Sequence, residues 1–196
     1  MLSRSEVATG FDAAWRVLLG RPRPLDGLDL SFDGFWRSFA APFLVLPLYG
    51  VYVMAERRLI LESLPEGAEI GSGLFLLSRV VAFLIDIAAF PLLMAALARP
   101  LGLARRYVPL VVIFNWTAPL IALPLSLPSI LLGAGLVGPE GATFFLLFAL
   151  CLAIAWRFRA AKAALGGATG LAAAMVALDF LLSLVLGETI SRLSGI

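Results

Sequence analysis

The chain has 196 residues, 61% of them hydrophobic and only 14% charged, with a net charge of +2 and a mean hydropathy of +1.00. Soluble domains hold about 25% charged and about 45–50% apolar residues, so a soluble globular domain is excluded. With no histidine and a single cysteine, Cys151, histidine acid–base chemistry, His/Cys metal centres and an intramolecular disulfide are excluded too. So small a net charge also gives no footprint for nucleic acid.

Residues 5–20 carry the first predicted element, a helix too polar to cross a bilayer. Val7, Phe11, Trp15, Leu18 and Leu19 recur at helical spacing on one face, and Arg4, Asp12 and Arg16 fall elsewhere. Gly20 and Pro22 close it. Such an amphipathic helix suits a membrane surface, a partner's groove or the protein's own cytoplasmic face. Phe11, Trp15, Arg16, Leu18 and Leu19 are the candidate contact residues. Asp12 and Arg16 interrupt any apolar core here, so no cleavable signal peptide is expected. Ser31 or Asp33 caps a second helix, and Phe35, Trp36 and Phe39 suit the headgroup level as anchors.

Five apolar stretches follow, at 39–55, 73–98, 107–127, 142–156 and 168–186. A hydrocarbon core of about 30 Å needs about 20 residues at about 1.5 Å each. The predicted fold is therefore an all-α, five-span membrane bundle. Its organisation is a cytoplasmic segment 1–38, a transmembrane domain 39–187 and a tail 188–196. Residues 126–141 are apolar but broken by Pro and Gly, and either prolong the third helix or fold back at the interface. An extended, kinked helix end is expected. In this arrangement eleven basic side chains share the side of the N-terminus (Arg4, Arg16, Arg21, Arg23, Arg37, Arg99, Arg105, Arg106, Arg157, Arg159, Lys162). Three lie opposite, Arg57, Arg58 and Arg192, which puts the N-terminus in the cytoplasm and the C-terminus outside. Fourteen arginines against one lysine suggest a bacterial source, hence an inner-membrane protein.

Ionisable groups inside a span are costly and so are functional candidates. There are three, Arg79 and Asp86 on the second span and Asp179 on the fifth. Arg79 and Asp86 share a helix face two turns apart, too far for a direct pair, and Asp179 can approach both. Either Arg79 pairs with an aspartate and docks the two spans, or a mid-membrane carboxylate exchanges protons, as a carrier requires. Asn115 and Thr117 lie among prolines that free backbone carbonyls. Interhelical hydrogen bonding is the expected use of Asn115, and packing between helices that of Trp116. Gly166 and Gly170, with Ala174, form a small-residue stripe suited to close helix approach, within one chain or between two. Glu62, Glu66 and Glu69 cluster near Arg57 and Arg58 as a solvated loop. No nucleotide-binding, hydrolase or metal-ligand motif is present, so no enzyme activity and no cofactor are expected.

Two local patterns then carry a family resemblance. ARRYVPLVVIFNW opens the third span, and AIAWRFRAAKAALGGATG joins the end of the fourth to an Ala/Gly-rich loop. With five spans and a cytoplasmic N-terminal segment, residues 35–187 resemble the Yip-domain membrane proteins. That resemblance implies a helical membrane fold and a non-enzymatic role, and transfers no functional residue.

The sequence reading is thus a membrane protein acting by association. It would organise the lipid bilayer, form a homo-oligomer, or serve a membrane-protein complex as scaffold or accessory subunit. The alternative is a small proton-coupled carrier or channel using Asp86 and Asp179.

Overall fold

The computed structural model describes residues 3–63 and 71–194. Its helices are α1 (Arg4–Leu18), α2 (Phe32–Ser38), α3 (Leu46–Ser63), α4 (Ser72–Leu97), α5 (Tyr107–Gly133), α6 (Pro139–Ala164) and α7 (Thr169–Ser194). No strand occurs among the described residues. Five helical segments are long and apolar enough to cross a membrane: Phe32–Glu62, Ser72–Leu97, Ala104–Gly133, Pro139–Ala164 and Thr169–Arg192. The protein is a five-span helical membrane bundle. Glu66 and Glu69 lie outside the described residues, and Glu62 pairs with Arg58 at 2.8 Å on the surface.

Helix α5 is the hub. Of its most apolar window 56% is buried, against 17–28% for the other four spans. It packs on α3 and α6, and α7 joins α6 to α4. Because successive spans run antiparallel through short connections, the starts of α5 and α7 and the ends of α4 and α6 share one end of the bundle with α1 and α2. At that end Leu110, Ile113, Phe114, Met94, Ala160, Ala161, Ala164 and Ala172 form the main core. Helix α5 passes through Pro119, Pro124 and Pro128 and continues to Gly133, so residues 126–133 prolong the third span. Gly133 permits this, because a Cβ there would press on the Ala55 methyl of α3 at 2.8 Å.

Helix α1 does lie on the bundle, against α5 and α6, but with a different face from the one its large side chains suggest. Buried are Gly10, Ala13, Ala14, Val17 and Leu18, and Phe11 meets Trp116 edge-on at 6.1 Å between ring centroids. Trp15 and Leu19 are about half exposed, at 47% and 48%, and Arg16 turns back to Asp12 at 2.5 Å. The reason is steric. A Cβ on Gly10 would overlap the Trp116 indole, so the small-residue face alone lets the two helices approach. Ser3 and Glu6 form a reciprocal capping box that starts α1. Arg159 of α6 donates to the Leu18 carbonyl and closes its other end.

A second staple joins α1 to α2. Arg37 pairs with Glu6 at 2.9 Å and with Asp29 at 2.6 Å. Hydrogen bonds to Ser3 hold the Glu6 carboxyl below its ordinary value of 4.5. Those to Ser31 hold Asp29 below 3.8, and in both cases Arg37 adds to the effect.

Within the chain, Gly166, Gly170 and Ala174 do not form one helix-packing face. Gly166 and Gly167 have φ of +70° and +90° and terminate α6, with Gly167 N–H donating to the Lys162 carbonyl at 2.8 Å. Gly170 has open space before it and Ala174 is exposed, whereas α7 buries Ala172, Met175 and Val176. The stripe fails because its first glycine belongs to the turn before the helix.

Candidate functional site

All five spans converge on one cavity of about 510 Å³. Its walls are mainly apolar and aromatic, from Tyr49 and Tyr52 on α3, Phe83 and Phe90 on α4, Phe114 on α5 and Phe180 on α7. Apart from the tyrosine hydroxyls the polar groups are few, and they come from four helices. Asp86 faces in from α4, Arg157 from α6, Asp179 and Ser183 from α7, and Asn115 and Ser126 from α5. Three of the four intramembrane residues singled out in the sequence, Asp86, Asn115 and Asp179, therefore line this chamber, and Arg79 does not.

The pairing expected for Arg79 is corrected by the structure. Its Nε lies 3.0 Å from Glu56 Oε2 on α3, not beside either aspartate. The N–H does not point along that line, so both atoms are buried without a well-formed hydrogen bond, and the contact is an ion pair by proximity. Arg79 also covers the Phe75 ring at 5.2 Å, and its carbonyl accepts from Tyr49 Oη at 2.9 Å. Glu56 escaped the sequence reading because the apolar run ends at Ala55, whereas α3 continues to Ser63.

Asp179 instead faces Arg157, with Nε 3.4 Å from Oδ2. Sequence reading put Arg157 in a loop, since it follows the last apolar residues of the fourth stretch. Yet no helix breaker occurs before Gly166, so α6 runs on to Ala164 and Arg157 sits two turns inside it. The guanidinium is held on three sides. Beyond Asp179, its Nη1 donates to the Phe114 carbonyl at 3.1 Å, and the group lies over the Phe114 ring at 4.6 Å. Phe90 stacks on that ring at 4.8 Å between centroids.

Asp86 has no such partner. Ser183 lines the chamber with it, and Arg157 acts on it only from beyond ion-pair distance. Asp86 is exposed by surface area and also lines the chamber, from the middle of α4. The chamber thus holds two carboxylates and one guanidinium, with that cation already engaged by Asp179.

Asn115 has a structural partner. Its Nδ2 donates to Ser38 Oγ at 2.9 Å, and Ser38 Oγ donates to the Phe35 carbonyl at 2.7 Å, tying α2 to α5. This is the interhelical bond expected. Thr117 bonds the carbonyls of Ile113 and Phe114 in its own helix. Neither is a carbonyl that a proline frees.

The seam between α3 and α4 differs from the other helix contacts. Their backbones stay apart, and long side chains bridge the gap. Tyr49 meets Phe83 at 4.9 Å, Phe43 meets Phe83 at 5.7 Å, and the Arg79–Glu56 pair lies nearer the end opposite α1. No group of three or more potential metal ligands converges among the described residues. No family model, no curated protein and no solved structure matches the chain.

Proposed function

We propose that this protein is a small, non-enzymatic carrier in which Asp86, supported by Asp179 and Arg157, takes up and gives up a proton within the bundle. The observation that carries the reading is the chamber itself. Five spans contribute to one apolar cavity, and into it faces a carboxylate with no adjacent cation. A structural ion pair would need neither the open volume nor the second carboxylate. An unneutralised carboxylate in apolar surroundings is costly, which favours a proton or another cation as its occupant. The chamber volume falls within the ~300–1,000 Å³ typical of small-molecule sites.

The setting we propose is a bacterial inner membrane, with α1 and α2 in the cytoplasm and the C-terminus in the periplasm, as the arginine distribution favours. Kinship with the Yip-domain proteins belongs to the same proposal and rests on the local patterns around Tyr107 and Trp156. The test is proton flux in proteoliposomes carrying an internal pH dye. Asp86→Asn should assemble normally and abolish protein-dependent flux, whereas flux equal to wild type overturns the reading.

Association is the second reading, favoured by large apolar side chains exposed at this end. Trp15 and Leu19 are exposed on α1 and at its end, and Phe32 and Trp36 on α2, with Phe32 at 76% and Trp36 at 58%. These rings suit the headgroup level of a bilayer or a partner in it. The surface is smaller than the segment 5–20 offered in sequence, because Val17 and Leu18 are turned inward. Replacing Trp15 and Trp36 by serine should weaken membrane or partner association while leaving proton flux intact.

A further inference from the structure

We infer that the chamber binds a small organic monocation, an amine or quaternary ammonium carrying an apolar group, with Asp86 as counter-ion and Tyr49, Tyr52 and Phe83 as its aromatic wall. The inference rests on the carrier reading and names its substrate class. Three observations carry it.

The first is charge balance. Among the groups lining the chamber, two carboxylates face one guanidinium, and the only other ion pair nearby, Arg79 with Glu56, is self-compensating. One positive charge completes the set. An anionic ligand would have to compete with Asp179 for Arg157, whose guanidinium is already held by a carboxylate, a carbonyl and a ring.

The second is wall chemistry. Tyr49, Tyr52 and Phe83 form a continuous aromatic cluster, with Tyr49 stacked on Tyr52 at 5.9 Å and tilted against Phe83 at 4.9 Å. Aromatic faces attract cations through the ring quadrupole, most strongly when water is excluded. Asp86 borders the same space. An aromatic wall beside a carboxylate selects for charge and apolar bulk together.

The third is size and ligand type. A tightly held metal ion usually has several converging carboxylate, imidazole or thiolate ligands, and no three His, Cys, Asp or Glu side chains converge among the described residues. A volume of about 510 Å³ with apolar walls suits an organic molecule.

Cation and proton then compete for one carboxylate. The charged and titratable groups facing Asp86 are Asp179 on α7, Arg157 on α6, and Tyr49 and Tyr52 on α3; α5 gives the chamber no charged side chain. When the cation binds, the Asp86 carboxyl releases its proton, so one charge enters the site as one leaves.

The test uses the full chain in nanodiscs and benzyltrimethylammonium as the probe, with neutral tert-butylbenzene and anionic benzoate as comparisons and empty nanodiscs as control. Equilibrium dialysis should give saturable one-to-one binding of the cation, with about tenfold or greater preference over either comparison. Asp86→Asn should lose binding by a similar factor, and Asp86→Glu should retain it. Should Asp86→Asn fail to fold, acidification of the wild type serves as well, because protons must compete the cation off and cation binding must release protons into weak buffer. No saturable binding to the folded protein, equal binding of the neutral analogue, or preferred binding of benzoate overturns the inference. Flux that depends on Asp86 without any cation binding overturns the amine assignment and leaves the carrier reading standing. Cation binding without flux supports the site and overturns the carrier.

Discussion

Arg157 Nε stands 3.4 Å from Asp179 Oδ2, linking α6 to α7 at the wall of a chamber that also holds Asp86. Nη1 donates to the Phe114 carbonyl and the guanidinium lies over the Phe114 ring, which orients the arginine toward Asp179 rather than Asp86. One carboxylate thereby has an ion-pair partner, and the other has none among the described residues. This difference between the two aspartates follows from where α6 ends, because a helix that stopped with the apolar run at Trp156 would leave Arg157 outside it.

The pairing has an energetic consequence. Removing one partner of a buried pair costs about 3–5 kcal/mol, and the 17–23% exposure of these side chains lowers this to about 1–3 kcal/mol. Asp179→Asn and Arg157→Gln should each reduce thermal stability in detergent, and the double variant should cost clearly less than their sum. Arg79→Gln should instead be additive with Asp179→Asn, since its partner is Glu56. Full additivity of the Arg157 and Asp179 changes would contradict the assigned pair.

Docking of α1 depends on the absence of a side chain at one position. Gly10→Leu forces a branched side chain into the Trp116 indole, an overpacking that costs about 1–3 kcal/mol or displaces the helix. A lowered melting temperature for Gly10→Leu is expected, with partial recovery on adding Trp116→Ala. No effect of Gly10→Leu would mean that α1 does not seat on α5 in this way.

Acid should loosen the same docking. Glu6 and Asp29 are held below their ordinary values by Ser3, Ser31 and Arg37, so the folded protein binds fewer protons there than the unfolded chain. Their contribution is therefore fully present above the ordinary values of 4.5 and 3.8, and is lost as pH falls through the lower folded ones. A nitroxide on Ala8→Cys, in a Cys151→Ser background, should gain mobility over that acid range. Arg37→Ala should make it mobile already at neutral pH. Unchanged mobility in both experiments would remove the staple from the account.

The spans were legible because each is an apolar run long enough for the bilayer, and α4 matches its expected limits within a residue. Helix ends were less legible, since hydropathy marks where a span leaves the lipid and not where its backbone bonds stop. That gap hid Glu56 and Arg157, both just past an apolar run and both inside a helix. Freedom from Gly and Pro between Trp156 and Gly166 was the available signal. On α1 the large residues of the amphipathic face outweighed the Gly10…Ala14 spacing, although close helix approach in membranes favours small side chains. Asp86 and Asp179 stood out because charge inside an apolar run is rare. That they share a chamber depends on how α4 and α7 rotate about their axes, which two nearly uniform apolar surfaces do not encode in a hydropathy pattern.

The central claim is that Asp86 exchanges a proton inside the bundle, and infrared difference spectroscopy of the protein in lipid tests it most directly. A protonated carboxyl has a C=O stretch distinct from that of a carboxylate, and it moves when aspartate is labelled with carbon-13. The account requires such a band to appear and vanish reversibly with pH in the wild type and to be missing in folded Asp86→Asn. A spectrum that shows no titrating carboxyl, or one that Asp86→Asn leaves unchanged, would contradict it.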